Sequence, residues 1–347
     1  MELVRDVLLK LSTVYGPSGN ENKAACVIED YFSKYTKDRK RDALGNVLAV
    51  LPARSLSMPK IMIDAHYDEV SMLVTGIDEN GFVKFSNCFG MDARTLLASE
   101  MIIHGEKEVF GIASCLPPHL LKEEDAKKMP SADEFVIDAG YSAEKLKELI
   151  KIGDSITYKT RTTELKNGHL SGKSLDNRAG VAAIICCLEM LRTERLDCEL
   201  IALASVQEEA GTRGAKTAAY TVNPDVCIVL DVSFATCPDT DKDKTGEQGK
   251  GVMIGFSPIL KRELSDRFIS LAKQKNIKYQ IEAMAGDTGT NAASVQIARS
   301  GIATGLLSIP LKYMHTQVET VMLSDIEDTA RLLCEYIKSI KGGGKLW

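Results

Sequence analysis

Residues 199–215 read ELIALASVQEEAGTRGA. The first eight form an apolar run of strand length, and the run ends in two adjacent carboxylates, Glu208 and Glu209. A continuous apolar run suits a strand buried on both faces, as in a parallel sheet covered by helices. Glutamate is rarely buried, so the acidic pair taken alone reads as a solvated loop. The surrounding pattern decides whether it is one.

Downstream of about residue 165, helices and apolar strands alternate. A long apolar helix covers 176–192, and a short helix starts near Thr212. VCIVL (226–230) and IATGLLS (302–308) read as buried strands. Helical periodicity covers 262–275, 290–299 and 325–340. Upstream, 25–35 is helical, and 46–51 and 61–64 are short apolar strands. The pattern predicts an α/β fold, a mostly parallel sheet with helices on both faces. From about 70 to 162 the character changes. SMLVTGI, FVKFSN, EMIIHG, EVFGIAS and DSITYKT alternate as strands do, and Asp78–Glu79–Asn80–Gly81 carries the Asn-Gly signal of a tight hairpin. This predicts a β-rich domain inserted into the chain.

The length of 347 residues suits about two domains. A net charge of −5 gives no basic excess for nucleic acid or an anionic membrane. No run of about 18 apolar residues is present to span a bilayer. The opening MELVRDVLLKLSTVYGPSGN reads as an amphipathic helix and lacks the pattern of a secretory signal. The nine cysteines include no CxxC pair, which favours buried free thiols in a reducing cytoplasm over disulfides or a thiolate metal site.

In open α/β sheets, ligands bind beyond the carboxyl ends of the strands. AHYDEV follows the strand 61–64 and brings His66, Asp68 and Glu69. Glu208 and Glu209 follow the next strand, Asp231 follows VCIVL, and His315 lies in IPLKYMHT after the last. Asp176 opens the helix that starts LDNRAG. Each has a structural reading of its own. Asp176 suits a helix N-cap, His66 a satisfied core histidine, and His315 a loop. Together they gather two histidines and several carboxylates at one sheet edge. Without a cation these carboxylates would repel and be forced to protonate. The donor set suits zinc, manganese or cobalt better than calcium, and a bridging carboxylate would leave enough ligands for two ions. The adjacent glutamates then divide the work. One binds metal, and the other takes a proton from the attacking water and passes it to the leaving group. Asp68, two residues after His66 on an extended chain, can orient the imidazole. His104, His119 and His169 fall outside this edge. AGDTGTN (285–291) lacks the lysine of a phosphate loop and reads as a close backbone approach to substrate, with Thr290 or Asn291 starting a helix.

The motifs AHYDEV, SLDNRAG, EEAGTRGA, CIVLD and SIPLKYMHTQVET stand in an order and spacing that resembles the dinuclear-metal aminopeptidases forming tetrahedral dodecamers. These include glutamyl, leucyl and deblocking aminopeptidases, and some members bear the name cellulase or endoglucanase. The resemblance covers about residues 1–340. It implies a zinc-peptidase-like catalytic domain over 1–68 and 163–347. It also implies a β-barrel-like domain over 69–162 that builds dimers and then the shell. It implies two divalent ions per subunit, zinc or cobalt. His66 and Asp231 would hold one, Glu209 and His315 the other, and Asp176 would bridge them. Glu208 would be the general base and Asp68 the carboxylate behind the histidine. Family members trim peptides in the cytoplasm. Two departures bear on the shape of the substrate pocket. Ser71 stands where a glycine is usual, and GDTGTNA replaces a Gly-Thr-Asp-Ala form.

The residues leave other readings open. One is another hydrolase on the same scaffold, a carboxypeptidase or deacylase. An endoglucanase could use paired carboxylates, but would need neither the histidines nor Asp176, and one Trp gives no sugar platform. A non-catalytic assembly protein would lack a ligand or the base, and none is missing.

Overall fold

The computed structural model describes the whole chain except residues 56, 89, 125, 126 and 343. The chain opens with helices α1 (Glu2–Leu11) and α2 (Asn22–Phe32) and strands β1 (Arg39–Arg41), β2 (Val47–Leu51) and β3 (Lys60–His66). It then forms β4 (Ser71–Ile77), β5 (Phe82–Cys88), β6 (Glu100–His104), β7 (Glu108–Ser114), β8 (Val136–Asp138), α3 (Ala143–Leu149) and β9 (Ser155–Tyr158). Next come β10 (Thr163–Glu164), β11 (His169–Gly172), α4 (Leu175–Leu191), β12 (Glu199–Ser205), α5 (Arg213–Val222) and β13 (Val226–Phe234). The chain ends with β14 (Val252–Phe256), α6 (Arg262–Gln274), β15 (Tyr279–Ala283), α7 (Asn291–Val295), β16 (Ala303–Lys312), β17 (Glu319–Met322) and α8 (Leu323–Ser339).

The large sheet runs β1-β2-β12-β3-β13-β16-β17-β11-β10, with β14 and β15 branching from β16. Its centre, β12-β3-β13-β16, is parallel, and the margins are antiparallel except for the β14–β15 pair. The period-two alternation of side chains explains the two covered faces. Ile61, Ile63, Ala65, Leu200, Ala202, Ala204, Ile228 and Leu230 enter the larger core beneath α1, α2, α4 and α8. Their neighbours Met62, Ile201, Leu203, Cys227 and Val229 enter a second core beneath α5 and α7. Residues 64, 66, 205 and 231 continue this second parity toward the carboxyl end, where Asp64, His66, Ser205 and Asp231 replace apolar side chains. Helix α4 is buried on nearly every side. A Cβ at Gly180 would stand 3.0 Å from that of Ala65, so the glycine sets how closely α4 lies on β3.

The inserted strands form a closed six-stranded barrel, β4-β5-β8-β7-β6-β9, around its own core of Met72, Val83, Met101, Ile103, Ile137 and Ile156. The Asn80-Gly81 signal marks the β4–β5 hairpin, where Gly81 has φ +87° and a Cβ would meet the Tyr141 carbonyl at 2.3 Å. Among the described residues no helix is long and apolar enough to cross a membrane. Cys186, Cys187, Cys198, Cys227 and Cys334 are buried free thiols.

A buried ionic cluster sits where β3 leads into the barrel. Glu69 accepts from Lys173 Nζ at 2.6 Å, the Gly16 amide at 2.7 Å, Ser174 Oγ at 3.1 Å and Arg178 Nη2 at 3.2 Å. Arg178 is fully buried and also donates to the carbonyls of Leu11, Val14 and Tyr67. Burial alone would raise the Glu69 carboxyl, but Lys173 and Arg178 more than offset it and bring it from 4.5 to about 2. Replacing Glu69 by Gln leaves two buried cations uncompensated and should cost about 3–5 kcal/mol, read by chemical denaturation. Because the folded pKa is depressed, the contribution is complete above about pH 4.5 and is lost as the pH falls toward 2. The gap between wild type and variant should therefore narrow over that interval, and a gap constant with pH would refute the assignment.

Candidate metal centre

His66 closes β3, and Ser205 lies beside it in register on β12. The chain continues from Ser205 through Val206 and Gln207 to the two glutamates. Asp231 lies within β13 rather than at its end, because this strand runs on to Phe234 beside β16. Asp176 lies in the first turn of α4, where φ/ψ at 176 and 177 are not helical and the intervening peptide bond is cis. It is not the helix cap. Ser174 precedes the helix with φ +55° and makes no side-chain capping bond. The Asp176 carboxylate instead points between two imidazoles.

Its Oδ1 lies 3.2 Å from His66 Nε2, and its Oδ2 lies 3.4 Å from His315 Nε2. His66 Nε2 is also 3.7 Å from Asp231 Oδ1 and 3.9 Å from Glu208 Oε2. His315 Nε2 is 3.3 Å from Glu209 Oε1. Three groups of possible ligand atoms result: His66–Asp176–Asp231 and Asp176–Glu209–His315 share Asp176, and His66–Glu208–Glu209 joins the acidic pair to the first histidine. All seven site residues expected from the sequence thus converge here, counting Asp68, which lies immediately behind.

Asp68 does more than stand beside the histidine. Its Oδ1 approaches His66 Nδ1 at 3.4 Å, a nitrogen with no hydrogen-bond partner. Its oxygens accept the amides of Glu208 at 3.0 Å and Glu209 at 3.2 Å, and the Ser18 hydroxyl at 2.6 Å. One buried carboxylate therefore fixes the backbone of the whole acidic pair. His315 faces the opposite flank. Its Nδ1 lies 3.2 Å from the Gly90 carbonyl oxygen, at the end of the barrel nearest the site. With Nδ1–H donating there, Nε2 is the nitrogen turned toward Asp176 and Glu209 and the one that a metal ion would take.

The cluster is electrostatically strained. Burial pushes Glu208 up to about 9, with Asp231, Glu209 and Asp176 adding to it against the pull of His66. Burial likewise raises Glu209 to about 7. Burial opposes a charge on His315, but hydrogen bonds donated to Asp176 and Glu209 carry it up to about 11. His66 is raised well above its usual value for the same reason, with Glu208 as the largest carboxylate influence. The carboxylates thus favour a charge on each imidazole, while burial works against the charge on the glutamates. Two imidazoles and several carboxylates within a few ångströms are the donor set of a transition-metal ion, whose charge would balance the acids and leave both histidines neutral.

The centre opens on a cavity of about 290 Å³ whose walls include Val232, Ser233, Phe234, Met314 and residues 288–290. As expected for AGDTGTN, Thr290 caps α7. Asn291 reaches beneath the site to Asp64 at 2.8 Å and Ser205 at 2.9 Å. The other histidines lie elsewhere. His104 bonds Thr157, His169 approaches the Lys166 carbonyl, and His119 sits in a short 3-10 turn. Sequence reasoning missed Asp64, which reads as one more strand residue, and Glu319. The position of Glu319, four residues after His315 on an alternating strand, is the signal that could have found it.

Comparison with known proteins agrees with this geometry. A model of the M42 glutamyl aminopeptidases matches residues 45–332. The chain is 32% identical over 341 residues to the lysyl aminopeptidase of Pyrococcus furiosus, covering 97% of each. It superposes on the TET aminopeptidase of a marine-sediment Thaumarchaeota archaeon with a TM-score of 0.93 at 29% identity, over 98% of this chain and 97% of that one. The Pyrococcus horikoshii TET1 peptidase, which can assemble into a tetrahedron or a large octahedral shell, superposes with a TM-score of 0.86 at 32% identity, over 97% and 100%. Similarity that runs almost end to end, through both the sheet and the barrel, places the chain in the M42 glutamyl aminopeptidase family, and it is an aminopeptidase, a hydrolase of peptide bonds.

Proposed function

We propose that the chain removes residues from the free N-termini of peptides with two divalent ions, zinc or cobalt, in this centre. His66 and Asp231 would hold one, Glu209 and His315 the other, with Asp176 bridging. The observation that carries the reading is the division of Asp176, one oxygen toward each histidine. Bound ions supply Lewis-acid polarisation of the scissile carbonyl and lower the proton affinity of the attacking water.

The chain's own groups do the rest. Glu208 is the general base. It takes a proton from the attacking water and returns it to the departing amine. Asp68 keeps Glu208 and Glu209 in place through their amides. The acids Asp176, Glu208, Glu209 and Asp231 line the cavity, and among the described residues no lysine or arginine does. A free ammonium group is drawn to such a wall, whereas the terminal carboxylate of a carboxypeptidase substrate finds no cation there. Val232, Phe234 and Met314 offer the first side chain an apolar surface.

We also propose that residues 69–162 are the assembly domain, giving dimers and then a dodecamer, with 1–68 and 163–347 as the catalytic part. Exposed apolar side chains on and around the barrel, among them Phe110, Leu116, Leu120 and Ile152, support this. Light scattering should give a mass of many chains, and a monomer at micromolar concentration would refute it.

Glu208→Gln should lower kcat by roughly 10²–10⁴-fold while the protein still binds metal, and a near-normal rate would overturn the base assignment. Asp176→Ala should lose both metal and activity, and retention of two ions per chain would show that it is no bridge. A mixed peptide pool digested with zinc or cobalt and read by mass spectrometry should shorten stepwise from free N-termini, with chelator stopping the reaction. Shortening from C-termini would overturn the orientation of the substrate.

A further inference from the structure

We propose that Glu319 is a positioning residue that ties Asp176 and His315 together through their backbones. The inference rests on the reading of those two residues as metal ligands. Glu319 begins β17 and is 2% exposed. Its Oε1 accepts the His315 amide at 2.8 Å, and its Oε2 accepts the Asp176 amide at 3.1 Å. The side chains of the same two residues meet on the far side of this clamp, with His315 Nε2 3.4 Å from Asp176 Oδ2.

Both amides need a partner that regular structure does not give them. The first amides of a helix have no intrahelical acceptor, and Asp176 stands in the first turn of α4. The usual cap is occupied elsewhere, since the Ser174 hydroxyl bonds Glu69. His315 lies in a left-handed turn, with φ +61° at Tyr313 and +62° at His315. Its amide therefore turns out of the β16–β17 ladder. Sheet register brings the clamp to the gap, because β17 pairs with β11 so that Glu319 lies opposite Gly172, four residues before Asp176.

The residue type follows from the task. A carboxylate is an acceptor on both oxygens, so it serves two N–H donors at once. A glutamine has one acceptor and would turn its NH₂ toward the second donor. Burial and the neighbouring Asp176 oppose a charge on Glu319, and the two accepted amides favour it. A purely structural link has no need of so costly a carboxylate, whereas an element that holds two ligands at a fixed separation for a cation is compatible with it. Asp68 plays the matching part on the other flank, with one carboxylate on the amides of Glu208 and Glu209.

The test is Glu319→Gln, titrated with cobalt alone beside the wild type and melted with and without cobalt. Expected are a loss of about 10–100-fold in affinity for at least one ion and a fall in kcat with KM little changed. The metal-free melting temperature should fall by less than the cobalt-bound one, so that the rise on adding cobalt shrinks. Unchanged affinity and kcat would overturn the proposal. So would an equal fall of both melting temperatures with affinity intact, which is the mark of a merely structural link. If the Gln variant does not fold, Glu319→Asp decides by the same readings, since it keeps the charge but loses the reach to span both amides. A wild type that binds no cobalt would instead sink the ligand reading itself.

Discussion

A single carboxylate lies between two imidazoles, and the molecule is arranged to keep it there. Asp176 belongs to the first turn of the most buried helix, and each of its oxygens faces a histidine from a different part of the chain. One histidine ends a central parallel strand and the other sits in a turn more than a hundred residues beyond Asp176. Neither can shift without changing the cluster's charge balance. The close packing of α4 on β3 at Gly180 fixes the helix. Asn177 anchors its first turn to the Leu230 carbonyl at 2.8 Å, beside Asp231. The buried Arg178, one residue further on, fastens the same turn to Glu69 and to the loop after α1. Successive residues of SLDNRAG thus serve as proposed ligand, tether and ionic anchor, which accounts for so polar a start to so apolar a helix.

Much of this was legible in the sequence because its signals are local. The apolar runs ending in His66, Glu208 and Asp231 locate the strands, and parallel strands must align their carboxyl ends. The alternation between 70 and 162 identifies a separate β unit. What was not legible depends on register. Helix-cap propensity favoured Asp176 as a cap, but a cap needs its side chain turned back on the helix, and the histidines pull it away. The antiparallel margins of the sheet come from strands as short as Thr163–Glu164, too brief for periodicity to detect. Barrel closure rests on pairings such as Phe82 with Asp138, across more than fifty residues. The double service of Asp68 was half visible. Its spacing from His66 placed it, but its grip on the glutamate amides exists only once β12 lies beside β3.

Carboxylates in this centre fall into two kinds. Those facing the cavity carry charge toward whatever binds there. Those behind them, Asp68 and Glu319, accept backbone amides from the ligand segments. Backbone N–H groups are fixed dipoles, so the rear carboxylates gain partners without bringing further cations into the interior. Lys173 and Arg178 are committed to Glu69 instead, at the junction with the barrel. Among the described residues, lysine and arginine are thereby kept off the cavity wall.

The contact between the barrel and His315 bears on how independent the two parts of the chain are. The Gly90 carbonyl meets the imidazole, a Cβ at Gly90 would lie 2.6 Å from His315 Nδ1, and Gln317 two residues on bonds the barrel's Ser99 at 3.0 Å. The insertion therefore supplies part of the frame for a histidine that belongs to the host domain. A change in the rim of the insert would reach that histidine directly, so the two parts behave as one fitted unit rather than as interchangeable pieces.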